Sequence, residues 1–123
     1  MATPLLVSVV DDDESVRESL PDLLREFGFQ VCAFSSAEDF LASDALQRTR
    51  CLILDVSMPG MSGPQLQKEL TRRAMGVPII FITAHSDAAT RPRLIAQGAV
   101  DCLLKPFSEA ELLKALSAAL PVS

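Results

Sequence analysis

Residues 53–63 read ILDVSMPGMSG. An apolar run stops on a single carboxylate, Asp55, and Pro59, Gly60 and Gly63 follow at once. Such a stretch reads as a strand delivered into a turn. On its own, Asp55 reads equally as the residue that opens that turn or as a reactive group held at the rim of a sheet.

The surroundings set the fold. Apolar runs at residues 5–10, 31–34, 51–54, 79–82 and 102–104 are short and continuous, as strands covered on both faces would be. Helical patterns lie between them. Val16, Leu20, Leu23, Leu24 and Phe27 form one stripe, and Leu112, Leu113, Leu116 and Leu120 form the last. Ser35 with Glu38, Ser62 with Gln65 and Ser108 with Glu111 have capping-box spacing. Gly28 stands where a left-handed helix end would sit, and Gly76 and Gly98 are further stop signals. The beat is β-α, five times over. It predicts an α/β fold with a parallel sheet and right-handed crossovers. Sites in such sheets form at the carboxyl ends of the strands.

The chain has 123 residues, 49% of them apolar, and a net charge of −5. This suits one domain spanning residues 1–123. No apolar run approaches the roughly 20 residues of a membrane span, and no basic segment precedes the first run. The acidic balance argues against direct nucleic-acid binding. Cys32, Cys51 and Cys102 sit in apolar contexts without zinc-like spacing and read as reduced core residues of a cytoplasmic protein. Residues 1–4 and 121–123 read as loose ends.

The predicted strand ends are chemically unusual. The first gives Asp11, Asp12, Asp13 and Glu14; the third gives Asp55; the fourth gives Thr83; the fifth gives Lys105 before Pro106. Capping a helix needs only one acid. Two like charges at ~4 Å and an effective dielectric of ~20 repel by about 4 kcal/mol, so the cluster calls for a cation. Carboxylate oxygens with room for water suit Mg²⁺ at Asp12 and Asp55, with Asp13 and Glu14 left as first-turn helix acids. An EF-hand is a poor alternative, since Val16 stands where its glycine would be. A carboxylate can act as a nucleophile and become an aspartyl phosphate. Lys105 and Thr83 would then meet the phosphoryl oxygens. No general base is required, so His85 reads as a surface residue.

VVDDDESVR (9–17), LILDVSMPGMSG (52–63), FITAH (81–85), QGAVD (97–101) and LLKPF (103–107) occur in this order and spacing. Together they resemble the receiver domain of bacterial two-component response regulators over about residues 5–120, most closely receivers that precede a helix-turn-helix output domain. The resemblance implies a doubly wound, flavodoxin-like (βα)5 fold with strand order 2-1-3-4-5. It implies Asp55 as phosphoacceptor and Asp12 as the direct Mg²⁺ ligand. Asp11 would hold metal-bound water, and Ser57 would offer its backbone carbonyl. Thr83 would be the switch hydroxyl and Lys105 the phosphate-binding lysine, beside a cis bond to Pro106. The implied partners are a sensor histidine kinase or phosphotransfer protein, and a second receiver on phosphorylation. The domain would catalyse only its own phosphorylation and dephosphorylation.

Three residues depart from the pattern. Cys102 stands where the family has a rotating aromatic ring, and a thiol is too small to carry that steric signal. Pro92 lies where the helix after the fourth strand should begin. Proline is tolerated only in a first turn, so this helix is expected to start near Thr90 or Arg91 and to be short, after a mobile loop carrying His85 and Asp87. Arg91 and Arg93 are candidates for docking a partner, against the default of solvated helix charges. Pro21 should kink the first helix near Arg17. Cys102 and Pro92 leave open a second reading, a phosphorylation-independent interaction module. A flavodoxin would not carry DDDE where it cradles phosphate. A D-x-D phosphatase would carry an acid where Ser57 stands.

Overall fold

The computed structural model describes residues 4–85 and 89–120. Asp87 and the two terminal segments, apart from Pro4, lie outside them. The strands are β1 (Leu6–Val10), β2 (Gln30–Phe34), β3 (Cys51–Asp55), β4 (Ile79–Thr83) and β5 (Asp101–Leu104). They form one parallel sheet in the order β2-β1-β3-β4-β5. The helices are α1 (Glu14–Glu26), α2 (Ala37–Leu41), α3 (Ala45–Arg48), α4 (Gly63–Arg72), α5 (Thr90–Ala96) and α6 (Glu109–Ala119). The expected doubly wound fold and strand order are therefore present. The order reverses beside β1, where β2 lies to one side and β3 to the other, and this opens a crevice at the carboxyl edge.

Alternation along the central strands feeds two cores. Val7, Val9, Ile53, Ile80 and Ile82 pack with Leu20 and Leu24 of α1 and Leu112 and Leu116 of α6. Val10, Leu52, Leu54 and Phe81 pack on the other face with Phe40, Leu66, Leu70 and Leu94. β1, β3 and β4 are buried throughout, as their unbroken apolar runs require. β2 is not; it is an edge strand with exposed and half-buried residues, so the expectation of cover on both faces fails there.

Local signals met mixed outcomes. Ser62 and Ser108 make complete capping boxes with Gln65 and Glu111. The box at Ser35 is displaced by one residue. Ser36 caps α2 by accepting from the Asp39 amide, which leaves the Glu38 carboxylate out of the cap. The second crossover is split into two short helices, α2 and α3, rather than one. Gly28 and Gly98 have the expected positive φ. Gly76 does not, because α4 ends earlier. Ala74 takes the left-handed position at φ 58°, and the Met75 amide bonds back to the Leu70 carbonyl. α1 continues through Pro21, which is buried. Leu113 points outward and does not belong to the core stripe of α6. α5 starts at Thr90 and is seven residues long, with Pro92 in its first turn, as Pro92 demanded.

Candidate functional site

The site is assembled from residues at the carboxyl ends of four strands. Asp11 follows β1 and is fully buried. Its amide donates to the Phe34 carbonyl (3.1 Å), its carbonyl accepts from Arg17 Nη1 (2.9 Å), and its Oδ1 accepts from the Asp13 amide (2.9 Å). Asp12 is exposed. Asp13 caps α1 by accepting from the Ser15 amide, and that hydrogen bond holds its carboxyl below the usual range. Asp55 ends β3 and is also buried. Carboxylate oxygens of Asp11, Asp12 and Asp55 lie within 4.8 Å of one another.

Lys105 follows β5. Its amide donates to the Thr83 carbonyl (2.7 Å), which ties the ends of β4 and β5, and its bond to Pro106 is cis. Its Nζ lies 2.8 Å from Asp11 Oδ2 and 3.9 Å from Asp55 Oδ2. The ammonium thus sits mainly on Asp11, whose buried Oδ2 has no hydrogen bond beyond this ion pair among the described residues. Burial works against the charged lysine, but Asp11 and then Asp55 outweigh it and leave its pKa raised. Asp55 is pushed up to about 7, first by burial and then by the Asp11 charge, against the opposing pull of Lys105. Three acids around one ammonium leave a deficit of positive charge. The site therefore fits a small divalent cation coordinated by oxygen.

The backbone after β3 is shaped by close approach. A Cβ on Gly63 would lie 2.3 Å from the Asp55 carbonyl oxygen and 2.9 Å from the Phe81 ring. Only glycine lets α4 begin this near the strand end. The Ser57 amide makes a long hydrogen bond to Asp55 Oδ1 (3.4 Å), the Met58 side chain is buried, and the Val56 amide bonds to the Ile82 carbonyl (3.0 Å). Thr83 is buried, and its hydroxyl accepts from the His85 amide (3.1 Å). His85 itself is exposed.

Cys102 is buried on β5, and burial, then Asp101, raises its thiol pKa. Burial pushes Cys51 up to about 12. Both thiols are therefore protonated and unreactive at neutral pH. Arg91, at the start of α5, donates to Asp101 Oδ1 through Nε (3.1 Å) and Nη2 (2.8 Å), and the Cys102 amide donates to the same oxygen (2.8 Å). The structure thus brings Asp11, Asp12, Asp55 and Lys105 together and sets Thr83 and the Ser57 backbone at the same edge. Sequence reasoning missed Arg17, which anchors the end of β1 from within α1, and Glu38, whose carboxylate reaches the Met61 amide (3.2 Å). Arg17 carried no signal apart from its place one turn into the helix. Glu38 was assigned to the displaced capping box.

A doubly wound parallel sheet with clustered acids and a lysine at its carboxyl edge is a flavodoxin-like domain whose strand ends could hold a metal ion. The comparisons with known proteins narrow this class. Residues 7–117 match the response regulator receiver domain, and the chain belongs to that family. It is a receiver domain of the two-component type. It is 48% identical over 118 residues to nodulation protein W of Bradyrhizobium diazoefficiens, covering 96% of this chain and 52% of that protein. Among solved structures, it resembles the response regulator StyR with a TM-score of 0.87 and 47% identity, covering 96% of this chain and 60% of that one. A response regulator receiver protein from Burkholderia phymatum gives a TM-score of 0.82 and 40% identity, covering 98% of both chains. The chain spans about half the length of the curated relatives it matches.

Proposed function

We propose that Asp55 is the phosphoacceptor of this receiver, taking a phosphoryl group from the phosphohistidine of a sensor histidine kinase or phosphotransfer protein. The observation that carries the reading is the convergence of three carboxylates within 4.8 Å beside the Lys105 ammonium. An ionised Asp55 oxygen attacks phosphorus as the P–N bond to the donor imidazole breaks, and the imidazole leaves with its electron pair. Lys105, 3.9 Å from Asp55, would meet the charge on the transferred oxygens, and Thr83, buried at the end of the neighbouring strand, would offer its hydroxyl to them. Asp11, Asp12, Asp55 and the Ser57 carbonyl would hold Mg²⁺. That ion would supply the positive charge that lets the carboxylates ionise together and would offset the charge of the group in flight. With a pKa of about 7 in the metal-free protein, Asp55 is only partly ionised at neutral pH. The nucleophile is therefore weakest without added positive charge.

A groove of about 560 Å³ between α1 and the start of α6 is lined by Val16, Leu20, Leu23, Ala84, Pro106 and Phe107, with Lys105 at its rim. It lies against the site and suits the apolar flank of a kinase or phosphotransfer helix. Ile95 on α5, Leu104 on β5 and Leu113 on α6 are exposed. This supports pairing with a second receiver after phosphorylation. A transcriptional regulatory protein of Thauera aromatica is among the relatives, at 44% identity over 117 residues. We read the domain accordingly as the input half of a cytoplasmic regulator of transcription that does not itself contact DNA.

The test is incubation with acetyl phosphate and Mg²⁺, followed by intact-mass measurement. The wild type is expected to gain one phosphoryl group and Asp55→Asn none. An Asp55→Asn protein that still gains that mass sinks the assignment.

A further inference from the structure

We propose that Glu38 is a positioning residue for the loop that follows Asp55, holding its backbone in the shape that presents the Ser57 carbonyl to the cation. The proposal rests on the reading of the site given above. Glu38 lies on α2, 23 positions from the loop residue it contacts, and its Oε2 accepts from the Met61 amide at 3.2 Å. Gly60 has φ +74°, and a Cβ there would lie 2.7 Å from the same Oε2. The loop thus curls closely around this carboxylate, and its conformation is the one in which the carboxylate fits.

The other ties of residues 57–63 are local. Ser57 donates to Asp55 at 3.4 Å, Ser62 to Gln65 at 2.8 Å, and Gly63 to the Val56 carbonyl at 3.1 Å. Val56 ties the start of the loop to the Ile82 carbonyl of β4 (3.0 Å), and beyond it, among the described residues, Glu38 provides the hydrogen bond that reaches residues 57–62 from another element. Met58 adds a buried side chain, while Ser57, Pro59 and Gly60 are exposed. Ser36 caps α2 without help, so the Glu38 carboxylate has no competing role in its own helix. A carboxylate accepting from a backbone amide makes a charge-assisted bond, stronger than a neutral one. Losing it frees the Gly60–Met61 peptide and, through it, the loop that carries the Ser57 carbonyl. The cation must then order that loop on binding.

The test compares Glu38→Ala and Glu38→Gln with the wild type in the full chain. In metal-free protein, amide exchange at Met61 measured by NMR is expected to speed up in Glu38→Ala, with little change in Tm because Glu38 is exposed. Calorimetric titration with Mg²⁺ is expected to show a Kd weaker by about threefold to tenfold in Glu38→Ala. In Glu38→Gln, which keeps an acceptor without the charge, the Kd should stay within about twofold of wild type. Unchanged Met61 exchange and unchanged Mg²⁺ affinity in Glu38→Ala overturn the proposal. So does a Glu38→Gln protein as weak as Glu38→Ala, since charge near the site would then be the whole effect. A wild type that neither binds Mg²⁺ nor gains a phosphoryl group would sink the reading of the site, and this proposal with it. Normal wild-type behaviour with an indifferent Glu38→Ala would sink this proposal alone.

Discussion

Replacing Asp55 with asparagine should stabilise the metal-free protein, and by an amount that depends on pH. Asp55 is raised from 3.8 to about 7 by burial and by the neighbouring Asp11 charge. The folded protein therefore holds this proton to a higher pH than the unfolded chain does. Between about pH 4 and 7 the folded state binds more protons, so stability falls as pH rises through that window and levels off above it. At about 1.4 kcal/mol per unit, the full cost at pH 8 is on the order of 4 kcal/mol. Asparagine carries no charge, and its oxygen still accepts from the Ser57 amide, so the variant escapes most of this cost. In a domain of this size, about 4 °C of Tm accompanies each kcal/mol, so Tm should rise by roughly 10 °C at pH 8.

Circular dichroism melts in chelator at pH 4.5 and pH 8 check this directly. Carboxylates whose pKa is lowered, such as Asp13 and Glu69, affect both proteins alike and cancel in the difference. The gap between variant and wild type should be small at pH 4.5, wide at pH 8, and narrowed at pH 8 by Mg²⁺, which stabilises the wild type by binding its folded form. A variant that melts no higher than wild type at pH 8, or a gap equal at both pH values, refutes the reasoning.

Gly63→Ala should destabilise the fold by about 1–3 kcal/mol, because the new methyl meets the Asp55 carbonyl and Phe81 ring, which cannot both move away; denaturant melts read this. Ala74→Gly should stabilise by roughly 0.5–1 kcal/mol, since it relieves a left-handed alanine that ends α4, less the entropy glycine adds to the unfolded chain; the same melts apply. Leu104→Glu should leave acyl-phosphate labelling of Asp55 intact but abolish any phosphorylation-dependent dimer seen by size-exclusion chromatography, because Leu104 is 45% exposed on the β5 face.

The parts of the fold legible in the sequence were those that repeat or that end abruptly. Continuous apolar runs gave β1, β3 and β4, because a strand buried on both faces leaves no room for alternation. Polar residues that stopped those runs gave the site, since a parallel sheet aligns its strand ends. What stayed hidden depended on neighbours distant in sequence. Gln30–Phe34 is nearly as apolar as the central strands, yet it forms an edge. Ser35 and Ser36 offered two possible caps, each with an acid three residues on, and only the turn out of β2 chooses Ser36. Ala74 ends α4 although Gly76 stands two residues later, because the Schellman-type bond from Met75 to Leu70 closes first. Gly63 reads as a turn signal, and its real constraint, contact with Asp55 and Phe81, is tertiary. The preference of Lys105 for Asp11 over Asp55 comes from relative burial and position, which no motif encodes.

That preference bears on how a phosphoryl group would change the surface. Lys105 is shared unequally between two acids, and its backbone is bonded to Thr83. New anionic charge on Asp55 would draw the ammonium from Asp11 and attract the Thr83 O–H as a donor, and turning the hydroxyl toward it would move the oxygen that now accepts from the His85 amide. Releasing that amide loosens the start of the segment leading to α5. The far end of that segment is tied by Arg91 to Asp101, with Arg91 largely exposed, and a pair of that kind contributes only about 0–1 kcal/mol. A small change at Thr83 is therefore enough to compete with it. Cys102, beside Asp101, has no ring to move, but its amide shares the Asp101 oxygen that Arg91 holds. Among the described residues, the polar contacts of Asp55, Thr83 and the β5 edge are hydrogen bonds and ion pairs, and these are what a phosphoryl group on Asp55 would have to rearrange. Cys102 offers no aromatic ring for a steric relay at that position of β5.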